Sequence, residues 1–216
     1  MNLNKQSNEK LMQIRLLHDD ETLVQSISSE VTSWLPVRPC DYVAVFIGTD
    51  RSTGDSLGPL AGTLFSERRP RNMTVYGTLH RPVHATNLEA YVQHIKEEHR
   101  NPFIIAVDAC LGRSTSIGYI TAHKGPLRPG AALNKNLPEI GDVHLTGIVN
   151  TSGFMEHAVL QNTRLSIVMD MAKGIADIME KVDDSLARPR RFSAAVVQRF
   201  ISGKSSVLKQ SGLPPV

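Results

Sequence analysis

The chain has 216 residues, 41% hydrophobic and 21% charged, which suits one well-buried globular domain with extensions. No window approaches the ~18 consecutive apolar residues of a membrane span, the polar start Met1 to Lys10 lacks the apolar core of a secretory signal, and two cysteines are too few for a disulfide framework or a thiolate zinc site. The net charge of +3 is local, because six basic residues and no acid lie from Arg188 onward, leaving the preceding body at −3, and it implies no nucleic-acid partner.

Taken in chain order, Asp20 to Leu35 fits a helix, with Leu23, Ile27, Val31 and Trp34 at helical spacing and Asp19 or Asp20 as its cap. Pro36 and Pro39 end it. The unbroken apolar run Tyr42 to Ile47 reads as a strand buried on both faces. A polar loop follows from Gly48 to Gly58, then a helix over Pro59 to Arg68. Met73 to Gly77 reads as a short strand. Thr86 to His99 reads as a helix, with Thr86 and Glu89 in capping-box spacing.

Phe103 to Val107 is a second buried strand that ends at Asp108. Further strands fit Ser116 to His123 and Asp142 to Val149, and helices fit Phe154 to Leu160 and Thr163 to Glu180. Strands alternating with helices predict a three-layer α/β/α sandwich on a mostly parallel sheet. Residues 1–18 read as an N-terminal extension, 19–181 as the domain and 182–216 as a basic tail. In that tail Phe192, Val196, Val197 and Phe200 mark an amphipathic helix over Arg190 to Ile201, expected to pack on the body or on a second subunit of a homo-oligomer. Cys40 and Cys110 flank apparent core strands and read as buried free thiols. The whole pattern is that of a cytoplasmic protein.

Sites in open α/β sheets form at the carboxyl ends of strands. Two acidic loops sit there, Gly48 to Pro59 with Asp50 and Asp55, and Val107 to Gly112 with Asp108. Two such aspartates on neighbouring strands push each other's pKa values apart, which suits general acid/base chemistry; they also suit a shared divalent metal, or simple capping of the next helix. The glycines Gly48, Gly54 and Gly58 match neither a Walker A loop nor a dinucleotide fingerprint. His84 is expected to line the cleft from the loop His80 to Asn87. Asn150 and Ser152, at the start of a helix, are expected to line it with backbone N–H groups placed as an oxyanion hole. Ser52, Ser56 and Ser152 lack any Ser-His-Asp or Gly-x-Ser-x-Gly context.

The stretches FIGTDRSTGDSLGP, GTLHRPVHATNLEAYV, FIIAVDACLG and GIVNTSGFMEHAVLQNTRL, in that order, resemble the YyaC-like spore protease family, which is related to the germination protease of spore-forming bacteria. More distantly, Gly48 through Asp55-Ser56-Leu57-Gly58 resembles the hydrogenase maturation endopeptidases. The resemblance implies a phosphorylase/hydrolase-like fold and an atypical aspartic-type endopeptidase with Asp55 and Asp108 as its catalytic pair. It implies a protein or peptide substrate, small acid-soluble spore proteins among them, and a forespore or spore-core location. In the hydrogenase-type relatives a histidine joins two acids to bind nickel. The corresponding stretch here reads Asn150-Thr151-Ser152-Gly153, with His144 and His157 several residues away, so the expectation is a site without metal or other cofactor. The rival expectation is a non-catalytic sporulation protein that holds a peptide or an assembly partner in the same cleft.

Overall fold

The computed structural model describes residues 12–38, 40–129 and 137–187. The strands are β1 (Gln13–Leu17), β2 (Tyr42–Phe46), β3 (Met73–Tyr76), β4 (Phe103–Gly112), β5 (Tyr119–Lys124) and β6 (Val143–Thr151). They form one sheet in the order β1-β5-β6-β4-β2-β3. Every pairing among β3, β2, β4 and β6 is parallel, and β5 alone runs against the rest. The helices are α1 (Leu23–Trp34), α2 (Leu57–Glu67), α3 (Leu88–Glu98), α4 (Glu156–Gln161) and α5 (Leu165–Leu186), with a 3-10 turn at Gly54–Ser56 before α2.

Alternation along the strands divides the core in two. On one face Ala44, Phe46, Ile105, Val107, Leu145 and Val149 pack beneath α1, α2 and α5. On the other, Val43, Val45, Ile47 and Ala106 pack beneath α3 through Leu88 and Ile95. This is the expected three-layer α/β sandwich. The crossover from β2 to β3 carries α2 on the first face, and the crossover from β3 back to β4 carries α3 on the second. The loops leaving the neighbouring strands β2 and β3 therefore diverge to opposite faces of the sheet, and a crevice opens between them at the carboxyl ends of the strands, where such sheets bind ligands.

Several boundaries differ from the sequence reading. Gln13–Leu17, inside the expected N-terminal extension, is an edge strand paired with β5 from Gln13↔His123 to Leu17↔Tyr119. Neither Asp19 nor Asp20 caps α1, whose N-cap is Thr22; Asp20 instead accepts the Thr22 N–H at 2.8 Å in the turn before the helix. No capping box forms at α3: Thr86 Oγ1 bonds the His84 ring at 2.9 Å, and α3 begins at Leu88. Neither cysteine is fully buried, and both are free thiols. The proposed tail helix, Arg190 to Ile201, lies outside the described residues.

The largest change is at the supposed linker from Val182, where α5 instead runs on to Leu186. Val182 is core, and Asp183, although charged, is buried. Its carboxylate accepts the N–H groups of Arg71 (3.0 Å) and Asn72 (2.9 Å), and its carbonyl oxygen accepts the Asn72 side-chain amide at 2.9 Å. One acidic side chain thus ties the end of α5 to the turn before β3. Asp183→Ala leaves two backbone donors without their partner and is expected to cost about 3 kcal/mol in urea unfolding. Asp184→Ala, one residue on and exposed, is expected to stay within about 0.5 kcal/mol of the parent. Equal effects from the two changes would show that the anchor contributes nothing.

Candidate active site

Backbone contacts assemble the cleft before any side chain is considered. Ile47 N–H bonds the Val107 carbonyl at 2.7 Å, which fixes the end of β2 against β4. Ile47 also bridges to Val83, and Gly48 N–H bonds the Val83 carbonyl at 2.8 Å, so the loop carrying His84 lies along the loop after β2. That second loop folds back on itself through Thr49 N–H to the Asp55 carbonyl at 3.1 Å and Ser56 N–H to the Ser52 carbonyl at 3.0 Å. Gly58 permits this closure, because a Cβ there would stand 2.0 Å from the Ile47 carbonyl oxygen.

The result is a cleft of about 460 Å³ between the loops that leave β2 and β3. Thr49, Asp50, Arg51, Ser52 and Asp55 line one wall, Pro82, His84, Ala85 and Thr86 a second, and His157, Leu160 and Gln161 of α4 a third. The His84 ring is held by Thr86 Oγ1, and its backbone N–H by Asn87 Oδ1 at 2.8 Å.

Asp108 is not among the residues that line this cleft. It does not end its strand: β4 continues to Gly112, and Asp108 sits in register with Thr146 of β6, only 7% exposed. One carboxylate oxygen accepts the Ala109 N–H at 2.8 Å. Burial drives its pKa well above the usual carboxylate range, and the Asp55 charge drives it further; the Ala109 bond opposes both. Asp55 is also raised, by burial first, against the pull of His157, the Thr49 N–H and His84. The Asp55 charge therefore bears on Asp108, and the more deeply buried Asp108 is the carboxyl pushed further up.

Asn150 and Ser152 do not line the cleft. The Asn150 amide donates to the Val159 carbonyl and to Thr163 Oγ1, both at 3.2 Å, and so ties β6 to the segment around α4. Ser152 N–H donates to the Gly112 carbonyl at 2.7 Å, and Thr151 N–H to Asn150 Oδ1 at 2.8 Å. Those two N–H groups are committed within the fold and are not free to serve as oxyanion-hole donors. Asp50 and His84 are in the cleft as expected, while His157, expected to be out of position, faces Asp55.

Two further groups bear on the chemistry. Burial lifts the Cys110 thiol to about 11, helped by the Asp108 charge, so no thiolate nucleophile forms there near neutral pH. Ser52 is 7% exposed, and its hydroxyl is the one buried side-chain polar atom among the described residues without a hydrogen-bond partner. Such an orphan costs a fold about 1–3 kcal/mol. The nickel site of the hydrogenase-type resemblance does not fit. Among the described residues no three His, Cys, Asp or Glu side chains converge to hold an ion, and Asp108 would have to ionise where burial most opposes it.

Fold and site together define an α/β protein with a polar cleft at the carboxyl ends of a mostly parallel sheet. The chain belongs to the family described as "Protein of unknown function (DUF1256)", which it matches over residues 15–178. It is 48% identical over 177 residues to a Bacillus subtilis (strain 168) protein described as "Uncharacterized protein YyaC", covering 82% of this chain and 86% of that one. Among solved structures it is similar to the [NiFe] hydrogenase maturation protease HycI from Thermococcus kodakarensis KOD1, at 15% identity and a TM-score of 0.49, over 71% of this chain and 98% of that one. No helix among the described residues is long and apolar enough to cross a membrane.

Proposed function

We propose that the protein is a peptide hydrolase in which Asp55 activates water and Asp108 supplies a proton to the departing amine. The observation that carries this reading is the split between the two carboxyls: both are raised by burial, and Asp108 is raised further by the Asp55 charge. Over the pH range between them one is ionised and the other protonated, the arrangement that general acid/base cleavage of an amide needs. Asp55 takes a proton from water as its oxygen attacks the peptide carbon. Asp108 gives its proton to the nitrogen as the C–N bond breaks. The resemblance to germination proteases makes small acid-soluble spore proteins the first substrates to test, in a forespore or spore-core setting.

Cleavage on this scheme rises with pH as Asp55 ionises and falls as Asp108 loses its proton. His157 pulls the Asp55 pKa down. His157→Gln is therefore expected to move the acid limb of the kcat/KM profile to higher pH and to leave the alkaline limb in place. An acid limb that stays put or moves to lower pH contradicts the assignment of Asp55 as base.

One observation favours the reading of a binding protein without catalysis: Asp108 is not part of the cleft lining. A peptide-binding protein would keep its affinity for small acid-soluble spore proteins in the Asp108→Asn form and cleave them in neither form.

A further inference from the structure

Ser52 stands out once the site is assembled. It lies on the same wall of the cleft as Asp55, three residues earlier in the same loop. The loop around it is closed by backbone bonds from Thr49 to Asp55 and from Ser56 to Ser52, and Ser56 Oγ is occupied by the Thr53 carbonyl at 2.6 Å. Ser52 has no such partner. A buried hydroxyl without one lowers stability, and alanine would serve the fold better at this position.

No histidine or carboxylate hydrogen-bonds Ser52 Oγ, so nothing is placed to take its proton and make it a nucleophile. What it can do is donate. Rotation about a single side-chain bond re-aims a serine hydroxyl between staggered wells without moving the backbone. We infer that Ser52 is a substrate-recognition residue, whose hydroxyl donates to the carbonyl oxygen of a peptide bond laid across the cleft beside Asp55. The ligand class is an extended polypeptide backbone. A neutral donor suits a carbonyl oxygen that gains negative charge as water adds to its carbon, and its contribution is larger in that state than in the ground state. No bond to Ser52 forms or breaks.

The role in cleavage rests on the peptide-hydrolase reading above; the role in binding does not. Ser52→Ala is expected to lower kcat for fluorescein-labelled, carboxymethylated casein about 100-fold with KM within about threefold, while the melting temperature stays level or rises. A fall of several degrees on melting would show that the hydroxyl is bonded within the fold, and unchanged kcat would show that it does not act on the carbonyl; either result overturns the inference. Titration of 15N-labelled protein with N-acetylalanine methylamide supplies a readout independent of hydrolysis. Shifts at the Thr49 to Asp55 amides in the parent, absent in Ser52→Ala, support the donor. Identical titrations of the two proteins, including the absence of any shift in both, overturn it. If the parent does not cut casein but binds the amide through Ser52, the hydrolase reading falls and the recognition role stands.

Discussion

Asp108→Asn is expected to abolish cleavage while making the protein more stable at neutral pH. General acid catalysis contributes about 100-fold to 10,000-fold, and an amide has no proton to give on that scale, so kcat on casein should drop by at least the lower figure. The stability gain follows from linkage. Asp108 has a folded pKa well above its ordinary value of 3.8. Between 3.8 and the folded value the native chain binds a proton that the unfolded chain has lost, so stability falls as pH rises across that window. Asparagine resembles the protonated acid and removes the dependence. Its Oδ1 can still accept the Ala109 N–H. Parent and variant should therefore melt together near pH 4 and diverge as pH rises, with the variant higher by about 2–4 °C for each kcal/mol of relief. A variant that melts lower than the parent at pH 7, or by the same margin at every pH, would mean that the carboxyl is not held protonated by the fold.

That pairing of gain and loss is what the proposed role of Asp108 predicts. Asp108 and Ser52 are both polar, both 7% exposed, and both more costly to the fold than a neutral or apolar replacement. Asp183 is equally buried and charged, yet its carboxylate accepts two backbone N–H groups and links α5 to the turn before β3. Burial alone does not separate the two kinds of residue. The donors that meet the buried oxygens do: none at Ser52 Oγ, the adjacent Ala109 N–H at Asp108, and two backbone N–H groups from a distant turn at Asp183.

The sheet was legible where the chain's local pattern and its burial agree. The runs Tyr42 to Ile47 and Phe103 to Val107 are apolar throughout because β2 and β4 are covered on both faces. The alternation Val143, Leu145, Gly147, Val149 marks the β6 face turned to α2 and α5, where Gly147 leaves room for Leu57 and Met171. The placement of Asp50, Asp55 and His84 at the cleft followed from strand ends. The edge strand β1 was hidden because only Ile14 and Leu16 of its five residues turn inward, and neither is fully buried. The continuation of α5 was hidden because the partners of Asp183 lie more than 110 residues away. His157 was missed for a similar reason. Its approach depends on a reversal at Met155, held at φ 60, which swings α4 over the Asp55 loop, and no local pattern announces a left-handed methionine.

Gly48→Ala is expected to be the most damaging single-methyl change in the site. Gly48 has φ +144, a conformation that residues with a Cβ rarely adopt. Added carbon would stand 1.9 Å from the Asp55 carbonyl oxygen and 2.9 Å from Pro59 Cδ. Neither neighbour can yield cheaply: the carbonyl already accepts the Thr49 N–H, and the proline is fixed in the first turn of α2. The clash and the backbone strain together are expected to cost about 3–5 kcal/mol, or roughly 10 °C in melting temperature. Gly125→Ala separates the two contributions. Gly125 has φ +116, but nothing lies within 4 Å of its added carbon, so only strain remains, about 1–2 kcal/mol. The displacement forced at Gly48 falls on Asp55 itself, so Gly48→Ala should also lose cleavage at temperatures where it is still folded, whereas Gly125→Ala should keep it. If the two variants are equally stable and equally active, the close approach of β2 to the Asp55 loop does not hold the base in place, and the carboxylate pair has to be positioned from the β4 side alone.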